Sequence, residues 1–175
     1  MKVNTNFIWR ELISLNLSEN SISQIGATAV TLVPKLRNLN VSHNWLSSVA
    51  NLSSLSDLEH LTLSNNRIEH LTEIHTRLGN VKSLNLAQNN LRRLDGLSKV
   101  YGLVSLDVRC NQISDLETVR CISCLPCLEV LTLTGNSVTT MLDFRTKVLT
   151  MFGIYLFWIF IFSVNHVILM NSKLY

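Results

Sequence analysis

The densest chemistry in the 175-residue sequence is a run of thiols, Cys121-x-x-Cys124-x-x-Cys127, with Cys110 upstream. Thiolates at this spacing resemble part of an iron–sulfur ligand set, and Cys110 could supply a fourth ligand. The structural reading competes directly. Ile122, Leu125 and Leu128 interleave with the thiols at core positions of an inserted turn, and cysteine is itself a common small buried residue. The structural reading is preferred, so no metal and no cofactor are expected. His43, His60, His70 and His75 are dispersed without ligand spacing. A nucleophile elbow, a phosphate loop and paired carboxylates are all missing from the sequence, so no catalytic residue is expected and the chain does not read as an enzyme.

A second group of polar residues points to recognition. His60, Asp107 and Arg109, with Asn16, Asn40, Asn85 and Trp45, gain meaning once the elements that carry them are placed. The template L-x-x-L-x-L-x-x-N-x-L recurs six times, over residues 12–22, 36–46, 58–68, 81–91, 103–113 and 128–138. Its asparagines, Asn20, Asn44, Asn66, Asn89, Asn111 and Asn136, are spaced 24, 22, 23, 22 and 25 residues apart. In x-L-x-L-x, alternate side chains point to opposite faces of a strand. The leucines turn inward, and Asn16, Asn40, Thr62, Asn85, Asp107 and Thr132 form the middle outward column. Each template asparagine offers two donors and an acceptor to turn backbone that would otherwise be buried unpaired, at a cost of about 1–3 kcal/mol per group. That column is therefore structural.

Between strands, apolar residues recur about every third position, as in Leu91, Leu94, Leu97, Val100 and Leu103. This period suits a 3₁₀ or irregular helical return. The expected fold is an α/β solenoid of the leucine-rich-repeat class. Six repeats of about 22 residues place short parallel strands on a concave face and the irregular side on the convex one. The repeat domain spans 1–150, and a cap over 139–150, with Val138, Met141, Phe144 and Val148 forming a closing helix, shields the last core layer.

The concave face is the expected protein-binding surface. It is small, polar and nearly uncharged, which suits an extended peptide or a loop. His60, Asp107 and Arg109 are the expected specificity residues, although Asp107 and Arg109 can also satisfy each other. Trp45 follows the turn Asn44, where it is either an exposed anchor or packed on the neighbouring turn. The basic residues are scattered and net charge is +3, so nucleic acid is not an expected partner. A monomer is expected.

The N-terminus has no apolar stretch of signal-peptide type, which with the clustered thiols suggests a reducing, cytoplasmic setting. Residues 148–170 form an apolar window of 23 residues, roughly 34 Å as a helix and long enough to cross a bilayer. Arg145 and Lys147 flank one side and Lys173 the other, so the repeats would stay cytosolic and 171–175 would be the far tail of a single-pass, tail-anchored membrane adaptor. A competing reading rests on composition. From Ile154 to Tyr175 there is no Gly, Ala, Arg or Pro, and Phe, Tyr, Met, Ile, Asn and Lys supply 13 of the 22 residues. That is the composition of translated AT-rich intron, and on this reading the chain is truncated and the tail non-native.

Several stretches exceed the generic repeat: Phe7-Ile-Trp-Arg-Glu-Leu12, Ser21-Ile-Ser-Gln-Ile25, His75-Thr-Arg-Leu-Gly-Asn-Val-Lys-Ser-Leu-Asn-Leu86, Leu125-Pro-Cys-Leu-Glu129, Phe144-Arg-Thr-Lys-Val-Leu149 and Phe152-Gly153. Together, over residues 5–153, they closely resemble the leucine-rich-repeat region of the nischarin (imidazoline-receptor candidate) family. The resemblance implies a cytoplasmic and endosomal scaffold whose partners include integrin tails, p21-activated kinases and small GTPases, and which restrains cell migration. The family's phox-homology domain and long C-terminal regions have no counterpart in this sequence, so their lipid binding is not implied. A similar 22-residue repeat class includes regulatory subunits of phosphatases and other complexes, which leaves that role as an alternative.

Overall fold

A computed structural model describes residues 9–52, 55–71, 74, 78–153 and 167–169. Six three-residue strands appear where the template puts its x-L-x triplets: β1 (Ser14–Asn16), β2 (Asn38–Asn40), β3 (His60–Thr62), β4 (Ser83–Asn85), β5 (Ser105–Asp107) and β6 (Val130–Thr132). They form one parallel sheet in chain order. The register aligns the central leucines, Leu15, Leu39, Leu61, Leu84, Leu106 and Leu131, across all six strands. A one-residue slip would turn these leucines to solvent, so burial sets the register.

The inward residues make one continuous core from Val30 to Val148. Burying a leucine is worth about 1.5–3 kcal/mol, and no repeat can do this alone. The end layer shows it: Leu12, Leu15, Leu17, Ile22 and Ile25 are only partly buried, whereas Leu84, Leu86, Leu91 and Leu94 in the middle are fully enclosed.

Repeat length decides the convex structure. The two longest asparagine spacings, 24 and 25 residues, carry the helical turns α1 (Ala27–Val30) and α2 (Leu116–Arg120). A 22-residue spacing carries only a 3₁₀ turn at Asp95–Leu97. Extra residues go to the return because the strand and its turn admit none. Asp115 caps α2 by accepting from the Glu117 N–H at 3.0 Å, the orphan donor of a helix start.

The closing segment differs from one helix running through Val138, Met141, Phe144 and Val148. Ser137–Thr140 is a 3₁₀ turn, and Asp143 adopts a left-handed φ of 57° before α3 (Phe144–Met151) begins. Val138, Phe144 and Val148 are buried, but Met141 is exposed and Leu142 is 83% exposed. The break at Asp143 turns that pair outward.

The expected membrane-spanning helix over 148–170 is corrected. Helix α3 ends at Met151, and Gly153 follows with a φ of 69°, a left-handed conformation that stops a helix. Residues 167–169 then form an extended strand, β7 (Val167–Leu169), antiparallel to β6 with Leu131 opposite Ile168. The backbone groups on the open edge of β6 find partners there, whereas a helix through 167–169 would leave them unpaired. Among the described residues no helix is long and apolar enough to cross a membrane. Residues 154–166 and 170–175, which complete the expected span and tail, lie outside the described residues.

Candidate protein interface

The buried asparagine column does more than close its own turns. The Oδ1 of Asn89 accepts from the Ile68 N–H of the preceding repeat at 3.0 Å, and its Nδ2 donates to Leu63 O of that repeat and to Leu86 O and Ala87 O of its own. Asn44, Asn66, Asn111 and Asn136 bridge in the same way, accepting from Ile22, Leu46, Leu91 and Ile113. Among the described residues Asn20 bonds only the carbonyls of Leu17 and Ser18, and it is exposed. The column is thus a chain of inter-repeat cross-links, with Asn20 as its unbridged first rung.

A second column was not anticipated from the sequence. The residue before each template asparagine has a positive φ: Glu19, His43, Asn65, Gln88 and Cys110 between 53° and 59°, and Gly135 at 75°. This conformation costs a non-glycine residue roughly 1–2 kcal/mol. Part of the cost is offset by stacking, since Asn65 Nδ2 donates to Gln88 Oε1 and lies 3.4 Å from His43 Nε2. The one glycine in the column, Gly135, was the available signal. A Cβ built there meets Cys110 Sγ at 2.8 Å.

On the concave face the middle column Asn16, Asn40, Thr62, Asn85, Asp107 and Thr132 lies in register, one residue per strand at about 4.8 Å spacing. All six stay at least partly accessible. Four share one device: the Oδ1 of Asn16, Asn40, Asn85 and Asp107 accepts from the backbone N–H two residues on, each at 3.0 Å. These Asx turns steer the chain from strand into turn. Two residues beyond the middle column, at the start of that turn, Ser42 and Ala87 are buried.

Asp107 and Arg109 do satisfy each other. Besides the N–H of Arg109, Asp107 binds its Nε through Oδ2 at 3.1 Å, so the carboxylate positions Arg109 rather than facing a partner. His60 is exposed at the head of β3, between Asn38 and Ser83. Beside it Glu59 pairs with Lys82 at 3.1 Å. The Lys82 hydrogen bond and charge, helped by Arg37 and His60, hold the Glu59 carboxyl below its ordinary value. Trp45 is 50% exposed on the lateral side, with the Arg67 guanidinium 5.3 Å above its ring. It is therefore both accessible and packed, through a contact worth about 0.5–1 kcal/mol at an exposed site.

The thiols are not the buried small residues of the structural reading. Cys110, Cys124 and Cys127 are exposed and Cys121 is half-buried, while Ile122, Leu125 and Leu128 between them are buried. The turn after α2 needs the apolar residues inside, which sends the thiols out. Among the described residues no group of three His, Cys, Asp or Glu could hold a metal ion. A groove of about 490 Å³ between α2 and α3 is lined by Arg120, Ser123, Thr146, Lys147, Thr150 and Met151. Four of its polar side chains are already engaged: Arg120 with Glu117, Ser123 and Thr150 with backbone carbonyls, Lys147 with Leu142 O. It offers no converging set of free groups for chemistry.

Comparison with known proteins agrees with this geometry. The family model for leucine-rich repeats matches residues 34–74 and 79–121. The human serine/threonine-protein kinase 11-interacting protein is 31% identical over 129 residues, covering 73% of this chain and 12% of that protein. Mouse leucine-rich repeat-containing protein 56 is 32% identical over 121 residues, 69% of this chain and 21% of its own length. The chain thus spans a small part of these relatives. An internalin from Listeria monocytogenes superposes with a TM-score of 0.64 at 25% identity, over 81% of this chain and 38% of the internalin.

Proposed function

From the premise that the chain is a leucine-rich-repeat protein, a class of fold that generally serves protein–protein interaction without catalysis, we propose that it is a scaffold whose contact surface is the concave face of β1–β6. The observation that carries this reading is the in-register polar column from Asn16 to Thr132, accessible along a sheet whose opposite face is buried in the core from β2 to β6. His60 and Arg109 are its specificity residues, and Trp45 is a lateral anchor beside it.

The residue-level resemblance to the nischarin family supports a narrower version. The partner is an integrin cytoplasmic tail, a p21-activated kinase or a small GTPase, and the setting is cytoplasmic and endosomal. A relative named as a kinase-interacting protein favours a kinase among these three. The test is direct binding of the purified chain to each purified partner by interferometry, with wild type beside His60→Ala, Arg109→Ala and Thr62→Trp. Thr62→Trp fills the centre of the face without touching the core. A loss of at least about tenfold for Thr62→Trp, with the fold intact, is the expected result. Unchanged binding by all three variants would place the contact surface elsewhere.

A further inference from the structure

Hydrogen-bond polarity on the concave face is fixed by the backbone. A backbone N–H is only a donor, so the amide atom facing it in Asn16, Asn40 and Asn85 must be Oδ1. The atom left on the accessible side is Nδ2, which has no partner among the described residues. In the fourth Asx strand the same position is Asp107, and both its oxygens are taken by Arg109. The guanidinium N–H groups beyond Nε have no partner among the described residues. Thr62 and Thr132 contribute hydroxyls of either polarity. The middle column therefore presents fixed amide donors on three strands, the Arg109 guanidinium stands beside a fourth, and the column's one carboxylate is consumed. The flanking row adds Arg37 and the Glu59–Lys82 pair, His60 stands at the head of β3, and the flanking acid Glu129 lies at the β6 end.

Resting on the concave-face reading above, we infer that the ligand is an extended, carboxylate-rich protein segment laid across β1–β5, its side-chain and main-chain oxygens accepting from the Asn16, Asn40 and Asn85 amides and the Arg109 guanidinium. Hydrogen-bond sense selects this partner over a basic one: the outward amide N–H groups need oxygens, whereas a cation would meet only the Thr62 and Thr132 hydroxyls and no unpaired carboxylate in the column. The segment is specified by its oxygens rather than by one large charge, because each Asn offers a fixed N–H dipole instead of a full cation.

The molecule supplies its own design for the test. Asp107 shows that aspartate keeps the Asx bond at this position, so Asn40→Asp and Asn85→Asp retain the turn and replace only the outward donor with an acceptor. Three labelled peptides of about ten residues serve as probes, alternating serine with glutamate, glutamine or lysine, with binding followed by fluorescence anisotropy. The glutamate peptide should bind about tenfold more tightly than the glutamine one, and the lysine peptide more weakly than either. The Asn40→Asp/Asn85→Asp double variant should melt like wild type and lose the glutamate preference. Asn90→Asp with Ser23→Asp adds the same charge off the face and should shift binding less than about twofold. No binding of the glutamate peptide, no preference for it, or a preference that survives the double variant would overturn the inference. Thr62→Trp separates the causes. If it blocks the peptides while the double variant does not, only the polarity argument fails; if neither has an effect, the concave-face reading fails with it.

Discussion

Two columns of asparagine run along this solenoid at the same repeat spacing and use one side chain in opposite ways. In the turn column, Asn44, Asn66, Asn89, Asn111 and Asn136 are buried and spend both ends of the amide on backbone, tying each repeat to the one before it. In the concave column, Asn16, Asn40 and Asn85 spend only the oxygen, on their own chain two residues ahead, and keep the nitrogen for solvent or a partner. Residue type and spacing are thus poor guides to role. What separates the columns is how many orphan backbone groups surround each amide, and that is set by the depth of the turn.

The comparison breaks most sharply at Asn89. Asn89→Asp puts a buried carboxylate against three carbonyls, and a loss of about 3–5 kcal/mol is expected. The same change at Asn85 should stay within about 0.5 kcal/mol. Chemical denaturation of the two variants side by side measures the difference, and equal losses would erase the distinction between the columns. Asn89→Ala should cost somewhat less than Asn89→Asp, about 2–4 kcal/mol, because it strands donors and acceptors without adding charge.

Gly135 sharpens the account of the neighbouring left-handed column. Gly135→Ala meets both the positive φ and the Cys110 sulfur, so a loss of about 2 kcal/mol is expected. Cys110→Gly in the same background removes the clashing sulfur and relaxes a second strained φ. It should restore part of that loss, which a thermal melt of the double variant would show. At the exposed first rung, Asn20→Ala should cost less than about 1 kcal/mol, since water can replace both of its bonds. A loss as large as that of Asn89→Ala would mean that position matters less than residue type.

The smallest effect is in acid. The Glu59 carboxyl is held below its ordinary 4.5 chiefly by its bond to Lys82 and the Lys82 charge. A group depressed in the folded state adds stability above its unfolded pKa and loses it as pH falls through the folded value. The difference in melting temperature between wild type and Glu59→Gln should therefore be small but complete at neutral pH, should start to shrink as pH drops below about 4.5, and should vanish once pH is below the lowered folded value. Raised salt should shrink it as well, because the pair is at the surface.

What the sequence determined by itself was the repeat. Period-2 leucines before a recurring asparagine define the strands, their order and the inward layer, since both signals are local and each recurs six times. The leucines had to face one side, and neighbouring repeats had to stack for that side to be dry. The tertiary structure decided everything that depends on what lies across a repeat boundary. It turned the asparagine column into inter-repeat links and drove the residue before each asparagine into the left-handed region. It also sent the thiols outward while Ile122 and Leu125 took the core. At the C-terminal end an apolar window read as one helix became a short helix and, at 167–169, a strand on β6. Hydropathy reports that such a segment avoids water; the open backbone edge it meets decides its shape.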